Sequence, residues 1–206
     1  MSPTLKLTVP DGATKVLLHA CCAPCSSAIV ECLMDNGIRP TIFYCNPNIY
    51  PQSEYQIRKD ECTRFAQKLG LEIVDDNYLH DQWLLTAEPL ANEPERGLRC
   101  LNCFKHRLLR TAQYAAANGF EVFATTLASS RWKSLDQINE AGNWAAAQVG
   151  NVTFWDQNWR KGGLSERRVE IIRQYQFYEQ QYCGCEFRLK ATNQWRLANG
   201  KELIVR

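Results

Sequence analysis

The most constraining feature of this chain is a short apolar run that ends on a group of cysteines. Residues 15–20 (KVLLHA) pass directly into Cys21-Cys22-Ala-Pro-Cys25-Ser-Ser, and apolar residues resume over 28–34 before Asn36-Gly37. A run that short, broken by a turn and followed by a longer apolar stretch, reads as strand, turn, helix. The unit recurs: residues 41–45 (TIFYC) are β-branched and aromatic and stop at Asn46-Pro47, while 53–69 carry apolar residues at helical spacing and end at Gly70. Residues 71–74 read as a third strand, 78–85 as a helical turn, and the Pro/Glu/Gly-rich 88–97 as a loop. The clearest helix is 103–118, where Phe104, Leu108, Ala112 and Ala115 share a face and Gly119 takes the capping position. A strand follows at 121–125 (EVFAT). The last third, 134–206, is more helical, with 136–149 and 166–181 the expected helices. Strands alternating with helices imply an α/β fold, a parallel sheet sandwiched by helices, with ligands beyond the carboxyl ends of the strands. The first cysteine group falls at such an end.

Composition bounds the rest. With 206 residues, 45% hydrophobic and 22% charged, the chain suits a single domain over 1–206. No repeat or linker divides it. No stretch approaches the roughly 20 apolar residues of a membrane span, and the start lacks a basic segment followed by an apolar run, so a soluble, cytoplasmic protein is expected. The net charge of +2 means that any site for a polyanion must be a local patch.

Ten cysteines are the outlier. In an intracellular chain they point to metal or redox chemistry rather than to a disulfide framework. Cys32, Cys45 and Cys62 stand alone and read as small buried apolar residues. In HACCAPCSS (19–27), adjacent side chains diverge, which is poor for one tetrahedral zinc and better for a cluster that takes each thiolate at a different iron. The following helix turns its positive N-terminal end toward these thiolates. A structural zinc, or plain core residues, is the competing reading. RCLNC (99–103) stands immediately before a helix and is ambiguous alone: a redox dithiol, half a zinc site or two cluster ligands. Joined to Cys21 and Cys22, Cys100 and Cys103 complete four thiolates for a 4Fe-4S cluster. YCGC (182–185) carries one glycine between Cys183 and Cys185, a spacing that suits an easily reduced pair or a metal-binding CxC.

No Gly-rich phosphate loop is present, and His19, His80 and His106 are scattered and carry no assigned role. Basic and aromatic residues interleave in SRWKSLDQI (130–138), WDQNWRKGG (155–163) and 167–173. Such mixtures suit phosphate contact plus stacking of an unpaired base, and also any solvated helix face. Trp132, Lys133, Trp159, Arg160 and Lys161 are the candidate RNA contacts.

These segments, in order, resemble the QueH family of epoxyqueuosine reductases: HACCAPCSS, YCNPNIYPQSEYQIRKDE, GLRCLNCFKHRL, GFEVFATTLASSRWKSLDQIN, WDQNWRKGG and FYEQQYCGC. The resemblance covers about 15–192 and leaves 1–14 as a dispensable extension. It implies an adenine nucleotide alpha hydrolase-like fold with a helical C-terminal part. It further implies reduction of the epoxide of epoxyqueuosine, at the first anticodon position of tRNA, to queuosine. It places a 4Fe-4S cluster on Cys21, Cys22, Cys100 and Cys103, a redox-active disulfide on Cys183 and Cys185, and a possible second iron beside the cluster, for which Cys25 is the candidate. An electron donor is required and is not named by the sequence. Two rivals share parts of the pattern. A tRNA-thiolating or adenylating enzyme of the same broad fold needs an SGGxDS-like loop where this chain has HACCAPCSS. A non-catalytic metal-binding thiol-redox protein needs neither a deep pocket nor an RNA surface.

Overall fold

The computed structural model describes residues 5–205. Five parallel strands form one sheet in the order β3-β2-β1-β4-β5: β1 (Val16–His19), β2 (Thr41–Tyr44), β3 (Ile73–Asp75), β4 (Val122–Thr125) and β5 (Thr153–Phe154). Leu17 stands opposite Thr41 on one side and Phe123 on the other. Every residue of β1 and β4 is buried, as strands covered on both faces must be. The covers are α1 (Ala23–Asp35), packed with α2 (Gln52–Lys68) and α6 (Leu164–Tyr175), and the pair α4 (Leu98–Ala117) with α5 (Leu135–Val149). A shorter helix, α3 (His80–Ala87), rests on α4, and α7 (Glu186–Ala198) closes the chain. Leu17, Leu18, Phe43 and Phe123 are fully buried, and each large side chain withdrawn from water contributes about 1.5–3 kcal/mol.

Several expected boundaries move. The first helix begins at Ala23 rather than 28, since Pro24 is tolerated in a first turn and the hydroxyls of Ser26 and Ser27 donate to the carbonyls of Cys22 and Pro24 at 2.8 and 3.3 Å. The CxxC lies inside α4 rather than before it, because Gly97 opens the helix and Glu93 Oε2 accepts the Leu98 amide at 3.0 Å. The helix expected to run to 181 stops at Tyr175, where Gln176 turns left-handed at φ 51°. Two elements, β5 and α7, were not expected. β5 has two residues, too few for a period; α7 buries none of its residues, so it lacks the apolar stripe by which a helix is recognised. Gly142 on α5 lets β5 approach: a β-carbon there would stand 2.3 Å from the Phe154 ring.

Residues 5–13 are not a free tail. Leu5, Leu7, Val9 and Ala13 pack on the core, Asn36 bonds both the Leu7 amide (3.0 Å) and the Leu5 carbonyl (2.9 Å), and Asp11 accepts from Thr153 at 3.1 Å. The remaining part of the expected extension, 1–4, lies outside the described residues. No described helix is long and apolar enough to cross a membrane.

The strand order sets the site. The chain winds outward from β1 to β3, then returns to place β4 on the other side of β1, so the connections diverge at the carboxyl ends of β1 and β4 and open a crevice there.

Candidate metal and thiol centre

Cys21 and Cys22 follow β1 directly into that crevice. Cys22 is the N-cap of α1, Cys25 lies in its first turn, and the sulfurs of Cys21, Cys22 and Cys25 all lie within 4.8 Å of one another. The adjacent side chains do not diverge. Their sulfurs are 3.9 Å apart, close to the ~3.8 Å expected of two thiolates on one tetrahedral ion at ~2.3 Å. Neighbour spacing therefore does not disfavour a shared ion, as the sequence had suggested. The loop after β4 holds the group from the far side: Thr126 Oγ accepts from the Cys21 amide at 3.2 Å and its hydroxyl reaches Cys21 Sγ at 3.6 Å, while Ser129 donates to the Cys25 carbonyl at 3.3 Å.

Hydrogen bonding among the three thiols favours the anion at Cys21. Hydrogen bonds from Cys22 and Cys25 hold Cys21 well below an ordinary thiol, aided by Lys133 and Arg107, whereas the bond to Cys21 pushes Cys25 up to about 12 and also raises Cys22 well above an ordinary thiol. Beneath them His19 is fully buried between Thr125 Oγ (2.8 Å) and the Cys45 carbonyl (3.0 Å). Burial, then Arg107, depress it to about 3, so it is a neutral prop.

On α4, Cys100 and Cys103 are three residues apart and share a face. They line an enclosed cavity with Trp83, Lys133, Cys183 and Cys185. The Arg96 amide points at Cys100 Sγ at 3.3 Å, and burial raises both thiols. Trp83 Nε1 is buried with no acceptor in bonding geometry, yet it faces the Cys103 sulfur and draws that thiol down against its burial. A thiolate at Cys103 would give this N–H the acceptor it lacks. Soft thiolate donors, nearby cations and a waiting N–H donor fit a metal ion or an iron-sulfur group.

The CGC loop forms the cavity's outer wall. Arg58, buried in an ion pair with Glu54 (2.8 Å), donates to the carbonyls of Tyr182 (3.1 Å) and Cys183 (3.2 Å), and the Tyr50 amide donates to that of Gly184 (2.9 Å). Tyr178 Oη reaches Glu54 at 2.9 Å. Gly184 is required here: its φ is +135°, and a β-carbon would stand 3.2 Å from both Arg58 Nη1 and Ile49. Both cysteines are free thiols, Cys183 exposed and Cys185 partly buried as the N-cap of α7.

An open cleft of about 670 Å³ adjoins the cavity, with Cys25, Cys183 and Lys133 in its lining, and Trp132, Trp195 and Arg168 toward solvent. Trp132 and Trp195 are 78% and 55% exposed. The expected RNA contacts are thus partly redistributed. Trp159 is 1% exposed and meets the Trp155 ring edge-on, so its face is not available for stacking on a base. Arg160 donates to the carbonyls of Ala128 (3.1 Å), Ser130 (2.6 Å) and Lys133 (2.8 Å), and so shapes the loop after β4. Lys161 is exposed. Trp195 and Arg196 of α7 line the same cleft, and QWR mixes aromatic and basic residues as 130–138 and 155–163 do. Arg58 and Trp83 carried no local signal, since only the fold reveals what they touch.

The family model described as "Epoxyqueuosine reductase QueH" matches residues 16–191. Proteins called epoxyqueuosine reductase QueH include one from Acinetobacter baylyi, 48% identical over 202 residues (98% of this chain, 93% of that protein). Another, from Histophilus somni, is 49% identical over 199 residues (97% and 82%); a more distant one, from Thermotoga maritima, is 34% identical over 177 (84% and 90%). Among solved structures, a predicted subunit of a tRNA methyltransferase from Methanocaldococcus jannaschii superposes with a TM-score of 0.52 at 13% identity, covering 91% of this chain and 89% of that one. That likeness concerns the fold alone, a parallel sheet sandwiched by helices. On the match of nearly its whole length, this chain belongs to the QueH family of epoxyqueuosine reductases, which are oxidoreductases.

Proposed function

We propose that the protein reduces the epoxide of epoxyqueuosine in tRNA to the alkene of queuosine, completing queuosine biosynthesis. The observation that carries this reading is that Cys25, grouped with Cys21 and Cys22, and Cys183 of the CGC pair line one cleft together with aromatic and cationic side chains. The proposed ligands of a 4Fe-4S cluster are Cys21, Cys22, Cys100 and Cys103, and Cys25 is the proposed ligand of a second iron. When bound, the cluster supplies electrons one at a time.

Opening the epoxide to an alkene takes two electrons and two protons and releases water. Cys183 and Cys185 fit the role of a two-electron store, passing from dithiol to disulfide as the substrate is reduced. Lys133 lines the cleft with Cys25 and Cys183, and its ammonium group, favoured by the sulfurs of Cys183, Cys21 and Cys25 against burial, offers a positive charge to an oxygen entering there. The cleft is in the 300–1,000 Å³ range of ligand sites. Trp132 and Trp195 are suited to stack on unpaired bases of an anticodon loop, and Lys161, Arg168 and Arg196 to meet its phosphates.

The test is nucleoside analysis of epoxyqueuosine-containing tRNA after anaerobic incubation with the protein and a chemical reductant. Conversion to queuosine is expected, with about four irons and four sulfides per chain. A colourless zinc protein that leaves the epoxide intact would refute the proposal.

A further inference from the structure

We infer that the CGC pair is recharged through Cys183: a dithiol donor entering by the Trp132–Trp195 cleft attacks the Cys183 sulfur of the oxidised pair, and Cys185 departs as the thiolate. This rests on the redox reading of the pair and assigns unequal roles to its two sulfurs.

The two cysteines face different spaces. Cys183 is exposed and lines both the open cleft, with Cys25 and Trp132, and the inner cavity, with Cys100 and Cys103. Cys185 is partly buried and lines the inner cavity alone. Their places cannot be exchanged by a small rotation. Arg58 pins the carbonyls on the Tyr182–Cys183 side, the Tyr50 amide pins that of Gly184, and Cys185 is fixed at the start of α7 as its N-cap.

Thiol–disulfide exchange requires the attacking sulfur to reach the attacked one, so access ranks with acidity in setting the rate. Burial raises the Cys185 thiol to about 12, which slows its departure, whereas the Arg188 amide and the N-terminal end of α7 favour its anion. A donor reaches that inner sulfur less readily, because Cys185 is partly buried and lines only the narrow cavity shared with Trp83 and Phe104, whereas Cys183 also lines the open cleft. Access therefore decides the direction of attack.

The step balances. The donor thiolate forms a bond to Cys183 Sγ as the Cys183–Cys185 bond breaks, and Cys185 takes a proton. The donor's second thiol then attacks its own first sulfur and frees Cys183 as the thiol. The donor ends as a disulfide and the pair as a dithiol, with two electrons and two protons transferred. Because the same cleft is proposed to receive RNA, donor and substrate must visit in turn, which predicts ping-pong kinetics.

The test uses full-length protein with its metal in place. The Cys185→Ser variant, exposed anaerobically to glutathione disulfide, is expected to acquire glutathione on Cys183 at least about tenfold faster than Cys183→Ser acquires it on Cys185. In the wild type, the oxidised pair quenched with acid during glutathione treatment should carry the adduct on Cys183, read by peptide mass spectrometry. Equal or inverted rates, or an adduct mainly on Cys185, would overturn the inference while leaving the reductase reading intact. A wild type that never forms the disulfide, together with full turnover by the double Ser variant, would remove the redox role of the pair and this inference with it.

Discussion

Arg58 joins the thiol chemistry to the scaffold. Its guanidinium is 2% exposed and its partner Glu54 is fully buried, so the pair is held in place by mutual charge and by the loop carbonyls together. Removing one member of such a pair costs about 3–5 kcal/mol because the other is left buried without compensation. Arg58→Met is therefore expected to lower the denaturant midpoint sharply and to quicken alkylation of Cys185, while Glu54→Gln combined with Arg58→Met recovers part of the stability. Unchanged alkylation in a folded Arg58→Met protein would show that the clamp does not hold the loop. Gly184→Ala probes the clamp from the other side. Its side chain enters a region of backbone space costing about 1–3 kcal/mol and meets Arg58 and Ile49, so thermal unfolding at a lower temperature is expected, read by calorimetry.

Among the secondary-structure elements, α7 carries the consequence for RNA. It buries no residue of its own, so its exposed Trp195 is held on a surface rather than in a core. Trp195→Ala is expected to weaken binding of epoxyqueuosine tRNA by about 1–3 kcal/mol, the worth of one stacked base, with the metal content unchanged. Replacing Arg168 and Arg196 by Gln should flatten the dependence of log K on log salt by about one for each phosphate that is no longer neutralised. An unaltered slope would place the phosphate-binding surface elsewhere. The strands β1, β2 and β4 and the helices α2, α4 and α5 were legible in the sequence because each has a repeating apolar pattern. β5 and α7 were not, since one is too short to have a period and the other buries no apolar stripe.

For the whole molecule, the strand order decides where the thiols meet. The CC, CxxC and CGC motifs were legible residue by residue, and so was the position of the first group after a strand. Which of them share a space was not: Cys25 lies with Cys21 and Cys22, while Cys100 and Cys103 face Cys183 and Cys185 across a cavity. Those relations follow from β4 returning beside β1 and from buried partners such as Thr126, Trp83 and Arg58. The same closure predicts that metal adds stability, because the proposed ligands, spread over α1, α4 and their loops, would bind an ion only when folded. Chelation is expected to lower the unfolding temperature of wild type, and Cys21→Ala protein should start from the lower value and respond little. Equal shifts in both would place the stabilising ion elsewhere.

The hydrogen bond between Thr126 and Cys21 spans 105 positions of the chain, and that separation is also a delay. During synthesis the cysteine pair leaves the ribosome long before the loop that braces it, and the stretch from Cys21 to Lys133 takes about five to twenty seconds to make at ordinary rates. Throughout that interval the first thiols have neither β4 beside them nor Lys133 and Arg107 to balance their charge. The braced thiol group exists only after about two thirds of the polypeptide has been made, so any metal proposed to bind there would enter late in synthesis or after it.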